Sequence, residues 1–252
     1  MAADTHFGYP DTEPWNLKKV QAINRIAGTP YPRSLGGRVR RPRGVLVAGD
    51  LTNDGTRSQW KQFVRHYGLK GGDGMVRYPV FEGTGNHDYH GKRRLVAEAV
   101  RRRHGALSYT WTWQGVHFVC LDTHPRLGRN RWLRRHLRRF GKRAPVVIYF
   151  HYSIVGPYST WWSGLSKSVF RSTIDGYNVI AIFHGHYHRS ERYRWKGFDV
   201  YNVGSPLYDS PSFAVARVTS SHLTVAAWNY QHERWDWHHR KRLRYGPASS
   251  SR

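Results

Sequence analysis

The 252-residue chain is 39% hydrophobic and 15% aromatic, enough for the core of one sizeable domain and inconsistent with a disordered composition. Its 41 Lys and Arg against 16 Asp and Glu leave a net charge of +25. That field attracts polyanions such as nucleic acid, anionic membrane surfaces or polyphosphorylated substrates, unless it records only a coding bias toward Arg.

The single cysteine, Cys120, excludes an internal disulfide and a thiolate metal site, and its place in the run Val116 to Leu121 suits a buried, inert thiol. No run of 18 apolar residues is present, so no helix is expected to span a membrane. No secretory signal is visible, which leaves the cytoplasm as the default compartment. Only Met1-Ala2-Ala3 precede the first polar cluster, Asp4-Thr5-His6, so the strand expected there is short or clipped.

In chain order, Thr12 is a plausible cap for a helix with Pro14 in its first turn and an apolar stripe of Trp15, Val20, Ile23 and Ile26 ending before Gly28. Thr29 to Gly44 reads as an exposed basic loop. The run Val45 to Ala48 predicts a buried strand ending at Gly49-Asp50. Thr56 then caps a second helix, with Trp60, Phe63, Val64 and Tyr67 on its apolar face and Gly68 at its end.

The next apolar run, from Pro79, drops into Gly83-Thr84-Gly85-Asn86-His87-Asp88. That is either an ordinary turn or a strand end presenting chemistry. A helix from about Lys92 to Arg103 follows. Leu107 to Trp113 and Val116 to Leu121, joined by Gln114-Gly115, predict a hairpin. Arg131 to Phe140 predicts an amphipathic helix: Leu133, Leu137 and Phe140 share one side and Arg131, Arg134, Arg135, Arg138 and Arg139 the other, either a solvated face or a polyanion-docking one.

Val146 to Phe150 ends at His151, and Val179 to Phe183 ends at Gly185-His186-Tyr187-His188. Between them Tyr158, Trp161 and Trp162 occupy a Gly- and Pro-containing loop that either walls a pocket or packs as an exposed loop. Four further strands are expected, over Arg192 to Trp195, Asp199 to Val203, Phe213 to Val218 and Leu223 to Tyr230, as a meander. Trp235 to Arg244 mixes Trp, His and basic residues, and Gly246 to Arg252 is expected to fray.

Five clusters of Asp, His and Asn thus stand at five strand ends, supplying O and N donors suited to Zn, Fe or Mn. Their order, D-x-H, G-D, G-N-H-D, H and G-H-x-H, resembles the calcineurin-like metallophosphoesterase superfamily, and the surroundings of Asp50 and Asp122 are similar to the branch containing class III cyclic-nucleotide phosphodiesterases. The resemblance implies one α/β domain over residues 1–245, built as a four-layer α/β/β/α sandwich of two mixed sheets flanked by helices.

It also implies two metal ions. Asp4, His6, Asp50 and His188 would hold one, and Asp50, Asn86, His151 and His186 the other, with Asp50 shared. The reaction implied is attack on phosphorus by a bridging hydroxide, most readily on a phosphodiester. His87 would assist the leaving group with Asp88 orienting its ring. A phosphomonoesterase acting on a polyanionic substrate, and a non-catalytic basic scaffold for nucleic acid or membrane, are the alternatives. His90, His124 and His184 adjoin these segments and suit packing or support. His184 stands where a small or apolar residue is usual.

Overall fold

The computed structural model describes residues 1–207 and 210–247. Its elements run α1 (Thr12–Arg25), β1 (Val45–Ala48), α2 (Arg57–Tyr67), β2 (Val80–Gly83), α3 (Leu95–His104), β3 (Ser108–Trp113), β4 (Val116–Leu121), α4 (Asn130–Phe140), β5 (Val146–Tyr149), α5 (Gly164–Ile174), β6 (Val179–His184), β7 (Glu191–Trp195), β8 (Phe198–Asn202), β9 (Ser212–Val218), β10 (His222–Asn229) and β11 (Arg234–Arg242). The frayed tail expected at the C-terminus lies outside the described residues from position 248 onward.

One sheet has the strand order β3, β4, β5, β6, β8, β7, parallel across β4, β5, β6 and β8 and antiparallel at both edges. The other is assembled from the parallel pair β1 and β2 and the antiparallel ladder β9, β10, β11. The first residues of the chain join these two parts. Ala2 N–H donates to Leu46 O at 2.8 Å and Ala2 O accepts from Ala48 N–H at 2.8 Å, while on the other side Met1 and Ala214 exchange bonds of 2.8 and 2.9 Å. The segment expected to be short is therefore bonded on both edges. It continues into the bonds Asp4 N–H to Gly49 O and His6 N–H to Asp50 O, both 3.0 Å.

Strand alternation builds the layers. In β1, Val45 and Val47 pack with Val20, Ile23, Phe63, Tyr67, Val96 and Val100 of α1 to α3, whereas Leu46 and Ala48 face the second sheet. In β5, Val147 and Tyr149 lie between the sheets, and Val146 and Ile148 pack on Leu133 and Leu137 of α4 and Phe170 and Ile174 of α5. Three apolar interfaces follow, helix on sheet, sheet on sheet and sheet on helix, and they make four α/β/β/α layers.

Several elements match expectation because local chemistry sets them. Thr56 accepts from Gln59 N–H and caps α2. Gln114 and Gly115, both left-handed, close the β3–β4 hairpin. Leu133 and Leu137 of α4 are buried while its five arginines are exposed.

Others depart from it. Thr12 does not cap α1; it is the first helical residue, and its hydroxyl donates to His6 O at 2.9 Å and Tyr9 O at 2.8 Å, tying the helix to the first polar cluster. The third helix begins at Leu95, after a separate turn at Lys92–Arg94 in which Arg93 and Arg94 are left-handed. The expected meander is divided, β7 and β8 in one sheet and β9 and β10 in the other. Arg234–Arg242 forms an additional strand, β11, whose alternating exposure is visible in Trp235-Asp236-Trp237.

Lys19 sits on the apolar side of α1 at 0% exposure, with Nζ 3.4 Å from Ala3 O, and burial lowers it to about 7 despite the opposing pull of Asp4. The unfolded lysine, near 10.4, retains its proton between those values, so its contribution to stability improves as pH rises from about 7 to about 10.4. Lys19→Met is expected to raise stability at pH 7 by on the order of 3 kcal/mol, with a gain that shrinks toward pH 10. Paired denaturant melts across that range test this; a gain independent of pH would show that Lys19 is not held with a depressed affinity for its proton.

Candidate metal centre

The five polar clusters converge because each follows the carboxyl end of a neighbouring parallel segment: residues 1–3, β1, β2, β5 and β6. Donor atoms of Asp4, His6, Asp50 and His188 lie within 4.8 Å of one another, and so do those of Asp50, His151 and His186. Asn86 joins the second group, with Oδ1 3.0 Å from His151 Nε2. Asp50 belongs to both groups, its Oδ2 3.4 Å from His6 Nε2 and 3.2 Å from His151 Nε2. All seven sequence-derived donor candidates are thus brought together.

The backbone is bent to do this. Asp4 (φ 52°), His6 (42°), Asp50 (49°), His186 (70°) and His188 (54°) are all left-handed. Each such non-glycine residue costs on the order of 1 kcal/mol or more, and strain of this kind is retained where a site over-determines it. Glycines serve through close approach: a Cβ on Gly85 would stand 2.1 Å from Asp50 Oδ1, and one on Gly185 would stand 2.6 Å from Asp4 Oδ2.

Hydrogen bonds set which atoms face inward. His151 Nδ1 lies 2.9 Å from Ala48 O, which assigns its proton there and turns Nε2 toward Asp50 and Asn86. Asp4 accepts from His186 N–H with both oxygens, at 2.9 and 3.1 Å, and Ser205 Oγ donates to Asp4 O. Asn16 of α1 donates to Thr5 O at 2.6 Å, and Thr5 Oγ1 to Leu51 O at 2.8 Å.

The donor set fits cations. His6 Nε2 and His188 Nε2 stand 3.2 Å apart, as do His186 Nδ1 and His151 Nε2, so ring nitrogens meet ring nitrogens and carboxylate oxygens in a buried space. Donors about 2.0 to 2.2 Å from one cation stand roughly 3 to 3.5 Å from each other, so the spacing is that of shared coordination.

The electrostatics of three of the four imidazoles agree. Burial lowers His6 to about 4 and His186 to about 3, and lowers His188 as well, keeping these imidazoles neutral and able to donate. Burial raises Asp4. It also acts to raise Asp50 and to lower His151, but the mutual attraction of the two outweighs it: Asp50 falls well below the carboxylate range and His151 rises to about 9. The centre therefore holds one firmly ionised carboxylate at the point the two donor groups share.

Around the donors, His87 is oriented differently from expectation. Its Nδ1 lies 2.7 Å from Asn53 O, and its backbone N–H donates to Asp50 Oδ1 at 3.0 Å. Asp88 does not orient the ring. Its carboxylate accepts from Leu51 N–H, Thr52 N–H, Thr52 Oγ1 and Gly85 N–H at 2.9 to 3.1 Å, fastening the Asp50 loop to the Asn86 loop. Sequence adjacency suggested a pair, but in the short turn His87–Tyr89 the two side chains diverge.

Asn53 beside His87, and the separate group of Thr84, Tyr89 and Asp122, were assigned no role from the sequence. Asp122 Oδ1 accepts from Thr84 Oγ1 and Tyr89 Oη, both at 2.5 Å. The sequence signals were the apolar run ending at Asp122 and the resemblance carried by the surroundings of Asp50 and Asp122. Of the remaining histidines, His184 is buried and bonded to Tyr193 Oη at 2.6 Å, His124 stacks on Tyr152, and His90 is exposed 4.9 Å from the His87 ring. Tyr152, Tyr158 and Trp161 surround the His186 ring at 4.9, 5.6 and 4.8 Å, whereas Trp162 is buried with its indole N–H on Ser153 O.

The family described as calcineurin-like phosphoesterase matches residues 1–190. No curated protein sequence matches the chain. Among solved structures, a dimetal phosphatase from Danio rerio is similar at a TM-score of 0.69 and 13% identity, covering 91% of this chain and 95% of its own. GAP50, the anchor in the inner membrane complex of Plasmodium, is similar at 0.71 and 14%, over 97% and 88%. The purple acid phosphatase PPD1 of yellow lupin (Lupinus luteus) is similar at 0.65 and 15%, over 94% and 52%. At such identities the likeness is one of fold.

Proposed function

The chain belongs to the calcineurin-like phosphoesterase family and is a hydrolase of phosphate esters, and from that premise we propose that its substrate is a phosphodiester. The observation carrying the reading is the pair of donor groups sharing Asp50 beside a rim of aromatic rings. Asp4, His6, Asp50 and His188 would hold one cation and Asp50, Asn86, His151 and His186 a second. When bound, two cations supply a water acidic enough to ionise near neutral pH and positive charge for phosphoryl oxygens.

This chain's own residues supply the rest. His87 Nδ1–H donates to Asn53 O, so in the doubly protonated ring Nε2–H is the donor that would pass a proton to the departing ester oxygen. Asp88 keeps the loops carrying Asp50 and His87 in register, a positioning role. Tyr158 and Trp161, about half exposed beside His186, offer apolar contact to the second organic substituent that distinguishes a diester from a monoester.

A phosphomonoesterase acting on a polyanion is the second reading, favoured by the charge of +25. The two are separated by kcat/KM on bis(p-nitrophenyl) phosphate and p-nitrophenyl phosphate, using chelator-stripped protein reloaded with Mn²⁺ beside metal-free controls. The diester is expected to be preferred by at least about tenfold, with turnover abolished by chelation. A preference for the monoester would overturn the diester reading, and no turnover on either despite two bound ions would favour a non-catalytic scaffold.

A further inference from the structure

Between Asp122 and Asp175 the chain has no acidic residue and eleven Lys and Arg. This stretch contains α4 and α5, which cover the outer face of the six-stranded sheet, and the two loops that lead into them from β4 and β5. Those loops leave the carboxyl ends of their strands, the same end at which His151 and His186 stand. They also hold four of the large apolar side chains that the fold leaves exposed, Leu127 at 46%, Val155 at 41%, Tyr158 at 48% and Trp161 at 50%, and a fifth, Leu165 at 63%, stands in the first turn of α5. Arg126 and Arg129 are exposed in the first of these loops and Arg131 in the first turn of α4.

We propose that this edge is a docking surface for an anionic phospholipid bilayer, with the apolar side chains entering the headgroup region and the arginines pairing with lipid phosphates. Interfacial anchors combine these elements: aromatic rings at headgroup depth, aliphatic side chains just below it, and cations that draw in an anionic leaflet. The apolar side of α4 is already spent on the core through Leu133 and Leu137, so its outward side contributes charge alone.

A second copy of the chain is disfavoured as the occupant, because it would set the same cations face to face. Single-stranded nucleic acid would use the arginines and the rings of Tyr158 and Trp161, but it leaves Leu127, Val155 and Leu165 without a partner. The bilayer uses all of them. It also sets the candidate metal centre against a surface dense in phosphodiesters, although binding itself does not rest on the catalytic reading.

Co-sedimentation of the full chain with phosphatidylcholine vesicles, with and without phosphatidylglycerol, tests this. Binding is expected only with the anionic lipid and is expected to weaken as salt is raised. Leu127→Ser with Leu165→Ser, and separately Arg129→Glu with Arg131→Glu, are each expected to lower the partition coefficient by roughly tenfold or more. Metal content and turnover of bis(p-nitrophenyl) phosphate in solution should be unchanged.

Leu165→Cys carrying an environment-sensitive fluorophore gives a reading that does not depend on those variants. Cys120 is buried and its thiol is pushed up to about 12, so the label goes to position 165, and its emission should shift to the blue on anionic vesicles. Failure to bind anionic vesicles, an unshifted label, or tighter binding to a single-stranded oligonucleotide that the leucine substitutions leave unchanged would overturn the proposal. Loss of vesicle binding with diester turnover intact would leave the catalytic reading standing alone.

Discussion

Asp50→Asn is expected to empty both halves of the centre and to lower kcat/KM by on the order of 10³-fold or more. Asp50 is the one donor candidate belonging to both groups, and the one whose neighbours hold it firmly ionised. Asparagine has nearly the same shape, and its carbonyl oxygen can still accept from His87 N–H, which lies 3.0 Å from Asp50 Oδ1. The backbone around the site should therefore survive, while the negative charge that balances two cations is lost. Metal per chain by elemental analysis, measured beside activity, decides the matter: a variant retaining two ions and ordinary turnover would show that Asp50 is not shared between them.

The second large effect concerns proton supply. His87→Ala is expected to reduce turnover by about 10²–10⁴-fold on a diester with a poor, alkoxide-like leaving group, and far less on a nitrophenyl ester whose leaving group departs without a proton. His87 lies outside both donor groups, so metal content should be unchanged. The leaving-group comparison distinguishes an acid from a structural residue, since a merely structural ring would lower both rates alike. Equal losses on the two esters, or loss of metal, would remove His87 from the proton-transfer role.

Much of the candidate site was legible because its residues lie directly after apolar runs. Val45 to Ala48, Val146 to Tyr149 and Val179 to His184 are short apolar runs bounded by polar turns, the pattern of buried parallel strands, and parallel strands deliver whatever follows their carboxyl ends to one edge. Asp50, His151, His186 and His188 could thus be placed from order alone. The role given to Asp88 failed for the opposite reason. Adjacency in the chain says nothing of where two side chains in a tight turn point, and four donors from two separate loops took up its carboxylate.

The burial of Lys19 was hidden by residue type and not by position: it stands four residues from both Trp15 and Ile23, on the apolar stripe of α1, but a lysine there reads as a side chain that reaches back to water. So was β11, whose Trp, His and Arg content masked its alternation until β10 paired with it.

By itself, then, the sequence determined the strand ends and the order of the polar clusters on them, because strand periodicity and turn chemistry act over a few residues, and the resemblance of that order to a known superfamily supplied the layered α/β class and the donor set. Tertiary structure alone decided that Met1 to Ala3 stitch two half-sheets together, that Asn53 rather than Asp88 sets the His87 ring, and that Trp161 stays half exposed beside His186. Those are relations between segments far apart in the chain, set by which backbone groups find partners and which surfaces remain uncovered once the layers close.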